Sequence, residues 1–174
     1  MTSQRREKLR AAAELQREIH RRHGEDAPAV MTQAFAASAA TRAQRTYREA
    51  MARNRGQRYS VADLILPEKV LHPEETVLDV AVGGLSSDTF PLLLVTDRRI
   101  ILTKDQPWRR SRILREAPSA EVLGAEVEPR MLGGRLRVRV REGGDIVLKL
   151  GALQRPEEVA ALIRRLVAEG GAPQ

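Results

Sequence analysis

Residues 92–104 read Leu-Leu-Leu-Val-Thr-Asp-Arg-Arg-Ile-Ile-Leu-Thr-Lys, and they are the strongest indication of the fold in the sequence. Two apolar runs flank a short polar turn, in which Thr96 and Asp97 can hydrogen-bond the turn backbone through their short side chains. We expect Arg98 and Arg99 to keep the tip of this turn in solvent. The stretch therefore predicts two antiparallel strands joined by a turn, and it assigns Asp97 and Arg98 to structure rather than to catalysis.

Short apolar runs separated by turn signals continue on both sides of this stretch, which is typical of an antiparallel sandwich or barrel. Seven strands are predicted, at Thr76–Val82, Phe90–Thr96, Arg98–Lys104, Arg110–Glu116, Val122–Glu128, Arg135–Arg141 and Asp145–Leu150. The sixth alternates strictly between arginine and an apolar residue, so four arginines share one face. It is joined to the seventh through Gly143 and Gly144, which suit a tight hairpin.

A helix is predicted to begin at Pro156, since proline is well tolerated in a first turn and Glu157 and Glu158 complement the helix dipole. One face carries a continuous aliphatic stripe, made of Val159, Leu162, Ile163, Leu166 and Val167. Such a stripe has to be buried, so we expect this helix to cap the β-rich core. Gly170 and Gly171 end it, and residues 170–174 are expected to form a disordered tail.

The charge of the chain is concentrated in its first third. The 174 residues include 30 Lys/Arg and 23 Asp/Glu, a formal charge of +7. Residues 1–60 carry 13 basic and 6 acidic side chains, whereas residues 61–174 carry 17 of each. We therefore divide the chain into a basic helical N-terminal arm, partly disordered, at 1–58, a linker at 59–75 and a β-rich domain at 76–169.

Two helices are predicted in the arm, at Ser3–His23 and at about Thr32–Arg53. The second has an apolar ridge that repeats every four residues, made of Phe35, Ala39, Ala43, Tyr47 and Met51, with arginines such as Arg42, Arg45 and Arg48 around it. An amphipathic basic helix of this kind contacts nucleic acid, an acidic partner or a membrane surface. Alternatively, the ridge docks on the folded domain or on a second copy of the chain.

Several classes of protein are excluded by composition. Without cysteine, the chain has no disulfide scaffold, no thiolate nucleophile and no sulfur-rich metal site. No apolar run approaches the roughly 18 residues of a membrane-spanning helix, so we expect a soluble, cytoplasmic protein. His20 and His23 lack a third metal ligand, and no Gly-rich phosphate loop is present. We therefore predict no enzyme, no metal site and no cofactor.

Seven short antiparallel strands followed by an amphipathic helix is the plan of the pleckstrin-homology-like (PH-like) fold. Residues 92–104 resemble the second and third strands of bacterial PH-like and GRAM-like domains, and Pro73-Glu74-Glu75 is similar to the family's Pro-Gly-Glu opening. The resemblance covers Glu68 to Glu169. It implies an α+β, mainly β, PH-like seven-stranded antiparallel barrel or sandwich capped by a C-terminal helix and preceded by the basic helical arm. It also implies a non-enzymatic binding domain.

Two basic features of the β-rich domain are candidates for binding. One is the loop after the third strand, where Trp108 either stacks on a base, inserts at a membrane interface or folds back on the core. Its basic residues are Lys104, Arg109 and Arg110. The other is the outward row of the sixth strand, with Arg135, Arg137 and Arg139, which either pairs with Glu126 and Glu128 or contacts a polyanion.

Phosphoinositide-binding PH domains usually carry basic residues in the loop between their first two strands, because a phosphorylated headgroup needs several convergent cations. Here that loop is Gly83–Thr89, and it has no Lys or Arg. We therefore expect no specific phosphoinositide binding.

Two functions follow from these features. The first is a scaffold domain that mediates protein-protein association, including self-association, through a strand edge or a groove beside the helix. The alternative is nonspecific binding of nucleic acid or of an anionic membrane surface through the basic N-terminal helices. The low aromatic count argues against specific recognition of single-stranded nucleic acid.

Overall fold

The structure is a computed structural model that describes residues 3–26, 41–54, 69–84, 90–105, 112–130, 133–150 and 155–170. Two helices precede the strands, α1 (Ser3–His23) with a 3-10 turn at Gly24–Asp26, and α2 (Arg42–Ala52). The strands are β1 (Val77–Val82), β2 (Phe90–Thr96), β3 (Arg99–Asp105), β4 (Arg112–Pro118), β5 (Val122–Arg130), β6 (Gly133–Val140) and β7 (Ile146–Leu150). Helix α3 (Pro156–Ala168) follows. All seven predicted strands are present, with ends that differ by two residues or fewer.

The strands form two antiparallel sheets, one in the order β1-β2-β3-β4 and one in the order β5-β6-β7. We call them sheet A and sheet B. The α+β class and the C-terminal helix are as predicted, but the barrel form of the prediction is wrong for the described residues. Pro118 and a 3-10 turn at Ser119–Glu121 carry the chain from one sheet to the other, so β4 and β5 do not pair. Among the described residues, Gly84 N donates to Lys149 O at 2.9 Å, and Arg115 of β4 donates to Asp145 O at 3.1 Å and to the carbonyls of Gly143 and Gly144.

The larger core lies between the two sheets and under α3. The alternating residues of β6 that the sequence placed inward, Leu136, Val138 and Val140, are all buried there. Sheet A contributes its own inward residues, Ala81, Leu93, Val95 and Ile100. The aliphatic stripe of α3 packs on the same cluster, with Val159, Ala160, Ile163 and Leu166 buried. The predicted docking of this helix on the β-core is therefore confirmed.

A second core lies on the opposite face of sheet A, where α2 packs. Ala43, Tyr47, Ala50 and Met51 of the helix are buried. The strand residues that they meet are Val77, Val80, Val82, Leu92, Leu94 and Ile101, together with Val70 and Leu71. Sheet A is thus covered on both faces, and this explains why β2 is apolar at four consecutive residues, 92–95, instead of alternating.

Helix α2 is shorter than predicted, because it begins at a cap. Thr41 has an extended backbone, and its Oγ1 accepts a hydrogen bond from Gln44 N at 3.2 Å while the Gln44 side chain accepts one from Thr41 N. This capping box ends the helical conformation on its N-terminal side. A continuous helix over Thr32–Arg53 is therefore wrong at Thr41, and the predicted portion before residue 41 lies outside the described residues.

The segment before β1 is tied to the fold by a buried ion pair. The Glu75 carboxylate is fully buried and accepts hydrogen bonds from Thr96 Oγ1 (2.8 Å), His72 N (3.1 Å) and Arg99 Nε and Nη2 (both 3.0 Å). Arg99 also donates to Val70 O and to Glu116. The expectation that Arg99 keeps the turn tip in solvent is therefore wrong, since the side chain folds inward to a carboxylate that approaches from outside the turn.

Of the two side chains predicted to bond the turn backbone, Thr96 does so, with its Oγ1 accepting from Arg98 N at 3.2 Å and Arg99 N at 3.0 Å. Asp97 instead bonds the start of β1. Its Oδ1 accepts a hydrogen bond from Thr76 N at 3.0 Å, and its backbone N donates to Thr76 O at 3.0 Å. These bonds hold the turn between β2 and β3 beside the start of β1.

None of the described helices is long and apolar enough to cross a bilayer.

Candidate functional site

Helix α2 presents its basic residues on the side away from sheet A. Arg42 and Arg45 are exposed, Arg48 is half-buried, and Glu49 lies among them as an exposed acidic residue. The opposite side of the helix makes hydrogen bonds to the chain around the start of β1. Ala43 N donates to Pro73 O at 3.1 Å, and Val77 N donates to Thr46 Oγ1 at 2.9 Å.

The end of α2 continues these contacts along β1. Asn54 Nδ2 donates to Val80 O at 3.0 Å and to Ala50 O at 3.2 Å, while Arg53 Nη2 donates to Leu78 O at 2.5 Å. Among the described strands β1 is an outer strand of sheet A that pairs only with β2, so groups on its other edge have no described strand partner. Helix α2 therefore covers this edge as well as the apolar face beside it.

The arginine row of β6 is divided by its ion pairs. Arg137 lies among three carboxylates, with Nε 2.7 Å from Glu128 and 3.9 Å from Glu126, and with Nη1 3.1 Å from Asp145. Hydrogen bonds from Arg137 to Glu128 and Asp145 raise its pKa further above its usual range. The predicted pairing of the row with Glu126 and Glu128 is therefore found at Arg137.

The neighbours of Arg137 on β6 are arranged differently. Arg135 lies between Glu128 and Lys149 in the strand register, but Glu128 reaches diagonally to Arg137. Arg139 is exposed and lies opposite Gly124, which has no side chain to offer. Among the described residues, Arg135 and Arg139 form no ion pair within 4 Å.

The outer strands of the two sheets differ in how they are covered. The β5 edge packs against α3, and Arg164 Nη1 donates to the Ala125 carbonyl at 3.0 Å. The β7 edge receives the Gly84 bond, and α2 covers β1. On β4, no described residue outside sheet A bonds the backbone of the strand at 112–117. A bulge there leaves Leu114 without a partner on β3, and its side chain is 47% exposed.

The loop after β3 is only partly described. Lys104 lies near the end of β3, half-buried, and is opposite Pro91 on β2 and Arg112 on β4. Trp108, Arg109 and Arg110 lie outside the described residues, as do residues 85–89 of the loop after β1 and residues 171–174 of the tail predicted at 170–174. No group of three or more His, Asp or Glu that could hold a metal occurs among the residues that the structure describes.

The Glu75–Arg99 pair is a feature that sequence reasoning missed. Burial by itself raises the pKa of Glu75, but the hydrogen bonds from Arg99, Thr96 and the His72 amide outweigh it, and the pKa lies below its ordinary value. Arg99 in turn has a raised pKa, chiefly because of its hydrogen bond to Glu75. A signal was present in the sequence, since Pro73-Glu74-Glu75 and the Thr-Asp-Arg-Arg turn were both conspicuous, but nothing in their spacing indicated contact.

Comparison with known proteins gives a limited result. No family model matches the chain, and no curated protein matches it. Among solved structures, the chain is similar to a DUF1696 family protein with a pleckstrin-homology domain from Shewanella loihica PV-4. The identity is 14%, the TM-score is 0.43, and the match covers 62% of this chain and 97% of that one.

Proposed function

We propose that this protein is a non-enzymatic PH-like binding module, of the GRAM-like kind, that associates with protein segments by strand addition at β4. The observation that carries the proposal is the state of the sheet edges. In the described structure, α2 covers β1, α3 and Arg164 cover β5, and Gly84 bonds to β7. On β4 the Arg115 side chain donates to the carbonyls of Gly143, Gly144 and Asp145, but no described residue outside sheet A bonds the strand backbone at 112–117.

The chemistry of an outer strand favours this mode of binding. Its outward N–H and C=O groups form a row that an extended peptide can pair with, while exposed side chains select the sequence. On β4, the exposed side chains are Arg112, Leu114, Glu116 and Pro118, one cation, two apolar residues and one anion. An isolated edge with an exposed leucine is suited to a partner strand that is apolar at its centre.

The PH-like assignment is supported by the order of elements. Four antiparallel strands form one sheet, the next three form a second, and an amphipathic helix packs on the core that they share. The expectation of no specific phosphoinositide binding belongs to the same proposal, and its support is the absence of Lys and Arg at 83–89.

A selection experiment tests the proposal. Peptides are selected from a displayed random library on the full chain, and hydrogen exchange then maps the amides that each bound peptide protects. We expect protection within 112–117 and loss of binding when the central peptide amides are N-methylated. Protection confined to other strands, or peptides that bind equally well after N-methylation, would contradict strand addition at β4.

Matched variants are available for this experiment, because three large apolar side chains are exposed among the described residues. Leu15, Leu114 and Leu123 have exposures of 43%, 47% and 47%. We expect Leu114→Lys to abolish peptide binding, since lysine on an outer strand opposes pairing with another strand. Leu15→Lys and Leu123→Lys introduce the same charge elsewhere and are expected to leave binding unchanged.

A second candidate function is nonspecific binding of nucleic acid or an anionic membrane surface through the N-terminal helices. The observation that favours it is the exposure of Arg42 and Arg45 on α2. Binding of duplex DNA by the full chain should then weaken with salt by roughly 0.9 decades per decade for each phosphate neutralised. The double variant R42Q/R45Q should reduce that slope, and an unchanged slope would rule out α2 as the contact.

A further inference from the structure

The outer face of sheet B carries more positive than negative side chains, and the ion pairs on it are unevenly shared. The cations are Arg135, Arg137 and Arg139 of β6 and Lys149 of β7, and the carboxylates are Glu126, Glu128 and Asp145. All three carboxylates lie within 4.0 Å of the Arg137 guanidinium. The other cations are therefore left without a counter-charge from this face.

One of the remaining positions places two cations side by side. Arg135 and Lys149 are direct cross-strand neighbours in the β6–β7 register. Like charges in this position are destabilising, and they are retained at a cost to the sheet. The carboxylate on the other side of Arg135, that of Glu128, is 2.7 Å from Arg137 Nε. An anion bound between Arg135 and Lys149 would offset this repulsion.

The second position is at Arg139, four residues further along β6. Its neighbour on β5 is Gly124, whose φ of +152° belongs to the bulge at the start of that strand. No cross-strand side chain stands at Gly124, and Arg139 extends over it, with Nη2 3.6 Å from where a Cβ would lie. Since a strand rises about 3.3 Å per residue, Arg135 and Arg139 are about 13 Å apart along β6.

We infer that the outer face of sheet B binds an acidic peptide in extended conformation. One carboxylate cluster binds between Arg135 and Lys149, and a second binds at Arg139. Their separation of about 13 Å corresponds to four residues of extended chain. Arg137 lies between the two positions. It is neutralised by the carboxylates of Glu126, Glu128 and Asp145, and its ion pairs hold those side chains in place.

The charge pattern favours a peptide over a phosphate polymer. A nucleic-acid backbone carries charge continuously, so along this face it would pass over Glu126 and Glu128 between the two cationic positions. A peptide can instead place neutral residues over that centre. Residues 122–150 also contain no Phe, Tyr or Trp on which a base could stack. The inference concerns sheet B and is independent of strand addition at β4.

The experiment measures binding of a fluorescein-labelled Gly/Ser peptide with two Glu-Glu pairs whose centres are four residues apart. The control peptide has Gln-Gln at both positions. Fluorescence anisotropy is recorded on the full chain and on the triple variant R135Q/R139Q/K149Q. We expect the acidic peptide to bind, the control peptide not to bind, and the triple variant to lose about tenfold in affinity, as three partly exposed ion pairs allow.

A charge-matched variant separates this surface from general electrostatics. K69Q/R98Q/R165Q removes three exposed cations from other parts of the surface and leaves sheet B intact. We expect it to bind the acidic peptide within about twofold of the unchanged chain. Equal losses in the two triple variants would overturn the inference, as would equal binding of the Glu and Gln peptides.

Two further measurements keep the test decisive. NMR titration of the unchanged chain should shift amides of β6 and β7 first, and shifts confined to other elements would overturn the inference even where a variant folds poorly. Single-stranded DNA and vesicles with anionic lipid are titrated in parallel. If either displaces the acidic peptide from β6 and binds more tightly at equal salt, the partner class is wrong.

Discussion

At the scale of single residues, the fold depends on a carboxylate that no solvent reaches. Glu75 is fully buried and accepts four hydrogen bonds, two of them from Arg99. We expect Glu75→Gln to lower the free energy of unfolding by about 1–3 kcal/mol, since Arg99 keeps its ion pair with Glu116 but loses its buried carboxylate acceptor. Urea unfolding at pH 7 measures this, and Glu74→Gln, at an exposed neighbour, is the control.

The same carboxylate predicts a dependence on pH. Its pKa is lower in the folded chain than in the unfolded chain, where a glutamate has a pKa of about 4.3. The folded state therefore binds fewer protons between the two values, and the stability due to Glu75 is present above this window and is lost as the pH falls through the folded pKa. The difference in the free energy of unfolding between the unchanged chain and Glu75→Gln should become smaller at acidic pH. A constant difference from pH 7 to pH 3 would contradict this role.

A second residue-scale prediction concerns Gly83, at the corner where the sheets meet. A Cβ there would lie 2.8 Å from Leu148 Cδ1 and 2.9 Å from Lys149 O, and it would also meet the Pro91 ring. We expect Gly83→Ala to destabilise the protein by about 1–3 kcal/mol, because the space is already filled. Gly134→Ala, whose closest contact would be 3.1 Å, is the matched change and should cost less. Equal melting temperatures for the two variants would show that the corner is not tightly packed.

At the scale of elements, α2 is a layer of the fold. Ala50 is fully buried against sheet A, whereas Ala52, two residues later, is half-exposed. We expect Ala50→Glu to lower the free energy of unfolding by about 3 kcal/mol or more, because it forces a charge into an apolar contact. Ala52→Glu should change stability by less than about 0.5 kcal/mol. Similar values for both variants would indicate that α2 is not docked.

The helices and strands differ in how well they could be predicted from the sequence. Periodicity was sufficient for β6 and α3, because an alternating strand and an aliphatic stripe each have one way to be buried. For β2, which does not alternate, the signals were its apolar run and the turn that follows it. For α2 the ridge residues Ala43, Tyr47 and Met51 were identified, and their docking on the folded domain was one of two alternatives. The spacing of Thr41 and Gln44 fits a capping box and could have indicated the start of α2. The apolar repeat, however, extends N-terminal of Thr41, so the start of the helix was predicted too early.

The binding surfaces were less predictable, since they depend on contacts between distant segments. The row of arginines on β6 was evident from the sequence. Which of them is neutralised depends on Glu128, which bonds Arg137 instead of its direct neighbour Arg135, and on Asp145 of the β6–β7 hairpin, which also bonds Arg137. The coverage of each sheet edge depends on how helices pack after folding. Neither can be obtained from the spacing of residues along one strand.

At the scale of the whole molecule, the positive charge of the first third is carried partly by a structural element. The predicted boundary at residue 58 separates α2 from strands with which it shares a core, so the basic helix and sheet A are parts of one packed unit. We expect a chain beginning at residue 55 to unfold at lower urea and with a smaller m-value, because the outer face of sheet A is already exposed in its folded state. A chain that lacks only residues 1–26 keeps α2 and is the control.

Hydrogen exchange of the full chain tests most directly whether α2 is part of the domain. If the helix is a layer of the fold, its amides from Thr46 to Ala52 should open with the same free energy as those of β2, because both then exchange only through global unfolding. Exchange of these helix amides at rates near those of an unstructured peptide, while β2 and β6 stay protected, would contradict the account and return the helix to the status of a free basic arm.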